Sequence, residues 1–226
     1  MVYDSSIASI LRCLLTGNAN PSYGFGPVIY TNSSETRVEK CEIVNNNDGG
    51  IESCYALPGE IYTDNLVEDN TGSGIHPKSG YAHVEDNRII SNNRGIAYGY
   101  ITGSGAYNYP KIIGNYIACN NIEGIYMSAR NYPYIANNII VENGDAGIEV
   151  QSSTTAPVVA NNTIVGNDYG IYNASATGGR FVNNIVVNNT IAGLNFASGG
   201  ADGIPVIETV INHVHNRVFG WRGRER

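Results

Sequence analysis

The stretch "GIHPKSG" at residues 74–80 places His76 two residues before Lys78. An imidazole can take a proton near neutral pH, and a fixed ammonium can neutralise a neighbouring carboxylate. If the chain is an enzyme, a base (His76 or a Tyr) with Lys78 or Arg130 neutralising a carboxylate suits β-elimination or C5-epimerisation of a uronate sugar. Tyr98, Tyr100, Tyr126 and Tyr172 add flat apolar faces for pyranose rings and hydroxyls for their edges. Glu149 adds a hydrogen-bond acceptor. The plain reading of each residue stands beside the chemical one. A lone outward His is commonly solvated, tyrosines favour half-exposed sheets, and tyrosines in a long loop serve to pack it onto the body.

Those residues are held by a repeat. In the unit Asn-x-Ile/Val-x-x-Asn, the second Asn falls at 18, 46, 70, 92, 120, 143, 167 and 189. The first falls at 65, 87, 115, 138, 162 and 184, with Cys13 and Cys41 in its place at the start. Shortly after each later unit comes an apolar residue, usually preceded by Gly: Ile51, Ile75, Ile96, Ile125, Ile148, Ile171 and Leu194. Short β-branched segments between Gly, Asn and Pro predict strands. A period of 22–28 residues with three strands per turn predicts an all-β right-handed parallel β-helix of roughly eight to nine coils. The recurrent Asn is expected to stack at an inner corner as an Asn ladder, its amide satisfying buried backbone of the adjoining coil. The whole chain, 1–226, reads as a single domain, with regular coils over about 7–200 and an irregular cap or tail over about 201–226.

On this basis the chain resembles the parallel β-helix repeat superfamily, which includes pectate-lyase-like proteins, NosD-type periplasmic proteins and alginate epimerases. The resemblance implies that the outer surface of the Gly-Ile strands is a polysaccharide groove, and it favours an extracellular or periplasmic location. Alternation then puts Glu52, His76, Ala97, Tyr126, Glu149, Tyr172 and Asn195 in one outward column, with His83, Arg94 and Arg130 on loops beside it. "GIHPKSG" is similar to the "DPH" signature of the epimerases at His76, with Ile75 where that signature has Asp. Two classes of function stay open: a polysaccharide-interacting domain, enzymatic or binding, and a non-catalytic structural or surface-adhesin scaffold.

Composition narrows the partners. The net charge is −7, which disfavours binding to nucleic acid by phosphate neutralisation. No apolar run is long enough for a transmembrane helix, so no membrane partner is expected. The 30 asparagines and 27 glycines suit turns rather than helices. The four cysteines form no CxxC pair and read as small buried hydrophobes. No cofactor or metal is expected. A calcium site at Glu149 lacks support, because its column neighbours are Tyr126 and Tyr172, and His213 and His215 lack a third ligand. The exposed strand edges of a solenoid predict homo-oligomerisation through its ends or edges.

Overall fold

Each rung of the molecule turns at residues that tolerate a left-handed backbone. The residue before the first Asn of the unit has positive φ at Arg12, Lys40, Asp64, Asp86, Gly114, Asn137, Asn161 and Asn183. The residue before the second Asn does so at Gly17, Asn45, Asp69, Ser91, Cys119, Glu142, Gly166 and Asn188. Gly and Asn pay the least for this conformation, which accounts for the doubled asparagine in "ANNIIV", "ANNTIV" and "VNNIVV".

The computed structural model describes residues 2–3, 6–18, 26–78, 80–99, 109–128, 132–151, 156–174, 179–196, 206–211 and 218–219. Among them every named strand pairing is parallel, and the architecture is the expected all-β solenoid. No helix among these residues is long and apolar enough to cross a membrane. The Gly-Ile strands form one ten-stranded sheet that runs through Ile29–Asn32, Ile51–Cys54, Ser73–Pro77, Arg94–Tyr98, Ile125–Met127, Ala146–Val150, Tyr169–Asn173 and Ala192–Phe196. The other two faces join into one sixteen-stranded sheet, because Arg180–Val187 continues through the corner at Asn183. The tail contributes Val206–Ile211 and Val218–Phe219 to the two sheets, and Trp221 lies outside the described residues.

The asparagines stack at two corners, one on each side of the three-residue strand between them, rather than at a single corner. One ladder runs from Asn18 to Asn189 and the other from Asn65 to Asn184. Asn115 shows the bonding: its Nδ2 donates to Val84 O at 2.9 Å, to Ile113 O at 3.1 Å and to Asn138 Oδ1 at 3.0 Å. Its own backbone N–H donates to the same Asn138 oxygen at 2.9 Å. The amide thus joins adjoining coils and satisfies backbone that is sealed from water, whereas at the end of the other ladder Asn189 Nδ2 has no partner among the described residues.

Register then fixes the core. Ile51, Ile75, Ile96, Ile125, Ile148, Ile171 and Leu194 stack in line and are buried. Beside them runs a column of glycines at 50, 74, 95, 124, 147, 170 and 193. These glycines are required by close approach. A Cβ on Gly95 would sit 2.4 Å from the Gly124 carbonyl oxygen, and one on Gly147 would sit 2.9 Å from that of Gly170. The cysteines divide. Cys41 and Cys54 are buried as expected and Cys13 is half-buried, whereas Cys119 is exposed because it occupies a left-handed corner rather than a core position.

Candidate functional site

The outward column is assembled as the alternation requires. Glu52 pairs with His76, Ala97 with Tyr126, Tyr126 with Glu149, Glu149 with Tyr172, and Tyr172 with Asn195. Ile75 pairs with Ile96, which sets His76 beside Ala97. The column holds two groups of charged residues, one at each side of Ala97.

In the first group Lys78 Nζ makes an ion pair with Glu52 Oε1, and His76 Nδ1 lies 3.7 Å from Glu52 Oε2. Burial pushes the His76 pKa down to about 4, and the charges of Lys78 and Arg94 push the same way. The ring is therefore neutral at pH 7, where it is a weak base. The structure does bring His76 and Lys78 together, but Glu52 engages the cation. Arg130 lies outside the described residues.

The second group is denser. The Arg94 guanidinium sits 4.7 Å from the centroid of the Tyr126 ring and pairs with the buried carboxylate of Glu123. Oxygens of Glu123, Asp145 and Glu149 all lie within 4.8 Å of one another. Glu149 is only 6% exposed, and Gln151 Nε2 donates to its Oε1. Burial raises the Glu149 pKa to about 7; the Gln151 hydrogen bond opposes this, while Glu123 and Asp145 add to it. Asp145 is raised by burial, and then by the charges of Glu123 and Asp168. Three carboxyls this close cannot all ionise freely, so the group holds a proton into the neutral range. Beyond it Tyr172 tilts against Tyr169, with ring centroids 5.5 Å apart.

Some expected placements change. Arg94 begins the strand Arg94–Tyr98 instead of lying on a loop, and this puts its side chain over Tyr126. His83 begins the strand His83–Glu85 on the next face. Tyr98 is no surface residue. Two residues beyond inward Ile96, it points inward as well; it is fully buried, and its hydroxyl donates to Ala82 O at 3.2 Å. Tyr100 and Tyr107 lie outside the described residues, as do His213 and His215. Of the other tyrosines near this face, Tyr81, Tyr109, Tyr132 and Tyr134 are described. Tyr109 stacks on Tyr132 with centroids 5.4 Å apart and on Tyr81 with centroids 6.2 Å apart, so part of their ring faces is taken up by each other.

The repeat does not single out Glu123 and Asp145, because neither lies in the outward column that follows each inward Ile. Their signal is an acidic residue one position before the glycine in "IEGIY" and two before it in "GDAGIE". Glycine has no side chain to separate that residue from the outward column, so the two sides of the glycine column share one surface. Glu149 is therefore not bounded by tyrosines alone.

Comparison with known proteins agrees with the architecture. The family described as "Periplasmic copper-binding protein (NosD)" matches residues 78–199, more than half of the chain. The family described as "Right handed beta helix region" matches residues 1–103. No curated protein and no solved structure matches the chain. With its parallel coils, its two asparagine ladders and this match, the chain belongs to the NosD family of right-handed β-helix proteins.

Proposed function

We propose that the outer Gly-Ile surface around Arg94, Tyr126, Glu149 and Tyr172 binds a glycan without transforming it. The observation that carries this reading is the buried carboxyl of Glu149, packed against Glu123 and Asp145 beside the Arg94-covered Tyr126. Carboxyls accept from sugar hydroxyls, tyrosines offer ring faces and edges, and coils about 4.8 Å apart let neighbouring rungs touch one sugar.

Elimination or epimerisation of a uronate has less support. It needs a competent base beside a free cation, whereas His76 is a weak base and Lys78 is paired with Glu52. Three clustered carboxyls also repel a uronate, which favours a neutral glycan. The periplasmic setting in the family's description agrees with a glycan partner and with an extracytoplasmic location for this chain.

The copper in that description does not carry over. Copper selects imidazole, thiolate and thioether donors. Among the described residues the one group of three metal-ligating side chains is entirely carboxylate. His76 and His83 stand on different faces, and Cys41 is a buried thiol whose pKa is raised by burial. Carboxylates suit a hard cation such as calcium instead.

The test is a glycan array read with and without calcium, followed by calorimetry on any hit. Neutral glycans should bind, and both Tyr126→Ala and Glu149→Gln should weaken binding at least tenfold. Binding only with calcium would make the carboxylates the seat of a bridging ion. No binding across neutral and acidic glycans would leave the scaffold reading.

A further inference from the structure

Cys13 and Cys41 occupy the two rungs of the first ladder where the later coils carry Asn65, Asn87, Asn115, Asn138, Asn162 and Asn184. They are adjacent in register. Leu14 pairs with Glu42 in parallel, and the Glu42 N–H donates to Cys13 O at 2.8 Å. The Cys41 side chain leans toward the neighbouring rung, its sulfur 3.5 Å from the Cys13 backbone nitrogen. Rungs about 4.8 Å apart fall inside the window of about 4.4–6.8 Å between Cα atoms that a disulfide spans. Both thiols are free.

Neither thiol replaces what the asparagine provides. Cys13 Sγ donates to Leu11 O at 3.3 Å, and Cys41 Sγ contacts Ile10 O at 3.5 Å and Glu39 O at 3.4 Å. Sulfur is a weak donor, so this junction lacks the strong amide bond that ties every later pair of rungs. Asn65 still accepts from the Cys41 backbone N–H at 3.0 Å and donates to Val38 O at 3.0 Å, so the Cys41–Asn65 junction lacks only the side-chain amide bond that residue 41 would give.

We propose that Cys13 and Cys41 are a disulfide-forming pair that staples one coil to the next. Oxidation requires an external disulfide. The more accessible Cys13 thiolate attacks it, forming a mixed disulfide and releasing one thiol. The Cys41 thiolate then attacks the Cys13 sulfur and releases the second thiol. The pair loses two protons and two electrons, and the external disulfide takes up the electrons as it becomes two thiols. Burial raises the Cys41 pKa, so its closing attack speeds up as pH rises. The closed loop spans 28 positions, and cross-linking it restricts the unfolded chain.

The test incubates the full chain with oxidised glutathione, followed by alkylation, intact mass and peptide mapping. The expected result is loss of two of the four thiols, a mass lower by two hydrogens, and one linked peptide pair containing residues 13 and 41. Tm should rise by several degrees and fall back on reduction. The double variant Cys13→Asn/Cys41→Asn restores the ladder residue, so it should fold and show the same Tm in oxidising and reducing buffer. The proposal is overturned if all four thiols remain alkylatable, if glutathione stays on Cys13 without closure, if the link involves Cys54 or Cys119, or if the double variant keeps the redox-dependent Tm.

Discussion

The coils before residue 73 and those after residue 109 share one rung design but fill it differently. In the later coils the inward strand positions are mostly apolar, among them Ile112, Ile117, Ile125, Met127, Ile135, Ile140, Ile148, Val150, Val159, Ile164 and Ile171, with Asn173 in line with Val150 the polar exception. In the earlier coils Thr31, Ser34, Thr36, Ser53 and Glu60 are buried in the interior with Tyr62. The charges also change sides. The early coils bury a carboxyl inside the solenoid, whereas the later ones pack Glu123 and Glu149 on the outer face. A β-helix rung therefore constrains its corners and its glycine column strictly and leaves the chemistry of its filling free, even to buried polar atoms without a partner among the described residues, Ser53 Oγ and Glu60 Oε2.

The largest expected effect breaks what the later coils have and the first pair of rungs lacks. Asn115→Ala removes five hydrogen bonds, three donated by its Nδ2 and two accepted by its Oδ1 from Asn87, and takes partners from the buried backbone of Val84, Ile113 and Asn87. At about 1–3 kcal/mol for each stranded buried group, the cost should total roughly 3–5 kcal/mol. Cys13→Ala, in the same ladder column, forfeits only the weak contact of its sulfur with Leu11 O and should cost well under about 1 kcal/mol. Urea denaturation of both variants measures the contrast. Equal losses would mean that the ladder bonds contribute nothing beyond packing.

The next effect concerns the carboxyl inside the early coils. Glu60 Oε1 accepts from Thr31 Oγ1 at 2.6 Å and from the Tyr62 hydroxyl, while Oε2 accepts from nothing among the described residues. Burial raises its pKa from 4.5 to about 6, with the two hydroxyl bonds opposing. The folded protein then keeps a proton that the unfolded chain has already released between these values. Stability from this group is full below pH 4.5, declines as pH rises to 6, and stays reduced above it. A shift of this size corresponds to about 2 kcal/mol. Glu60→Gln removes that dependence, so the difference in unfolding free energy between variant and wild type should grow by about 2 kcal/mol from pH 4 to pH 7. A difference that stays flat with pH would place the charge in contact with water.

How much of this was legible in the sequence follows the same division. The corners, the Gly-Ile register and the outward column could be read because each rung repeats the same steric demand at Asn65, Gly95 or Ile125. The contents of the cluster could not, because Glu123 and Asp145 occupy no repeated position and meet Glu149 only when adjacent coils are superposed. Tyr98 was misplaced for a related reason. The tyrosine-rich insertion drew it toward the surface, although two-residue alternation from Ile96 already put it inside. Glu60 carries no signal at all. Its corner position holds Ala82, Pro110, Pro133 and Pro157 in later coils, and a lone Glu there reads as a solvated charge.

The smallest effect lies at the left-handed corners before the first ladder position of each unit; the second set of corners shows no such division, with Asn45 early and Glu142 late. The early corners place Arg12 and Lys40 at φ near 55°, while the later ones place Asn137, Asn161 and Asn183 there. Asn is several-fold enriched in this conformation over residues of ordinary side chain, which corresponds to about 0.5–1 kcal/mol. Arg12 and Asn161 are both exposed, so exchanging them tests the backbone term with little disturbance of packing. Arg12→Asn should stabilise by about 0.5 kcal/mol and Asn161→Arg should destabilise by a similar amount, read as opposite shifts of the urea midpoint at constant slope. Shifts of the same sign would show that the corners of the two regions are held by something other than the intrinsic preference of the residue for a left-handed backbone.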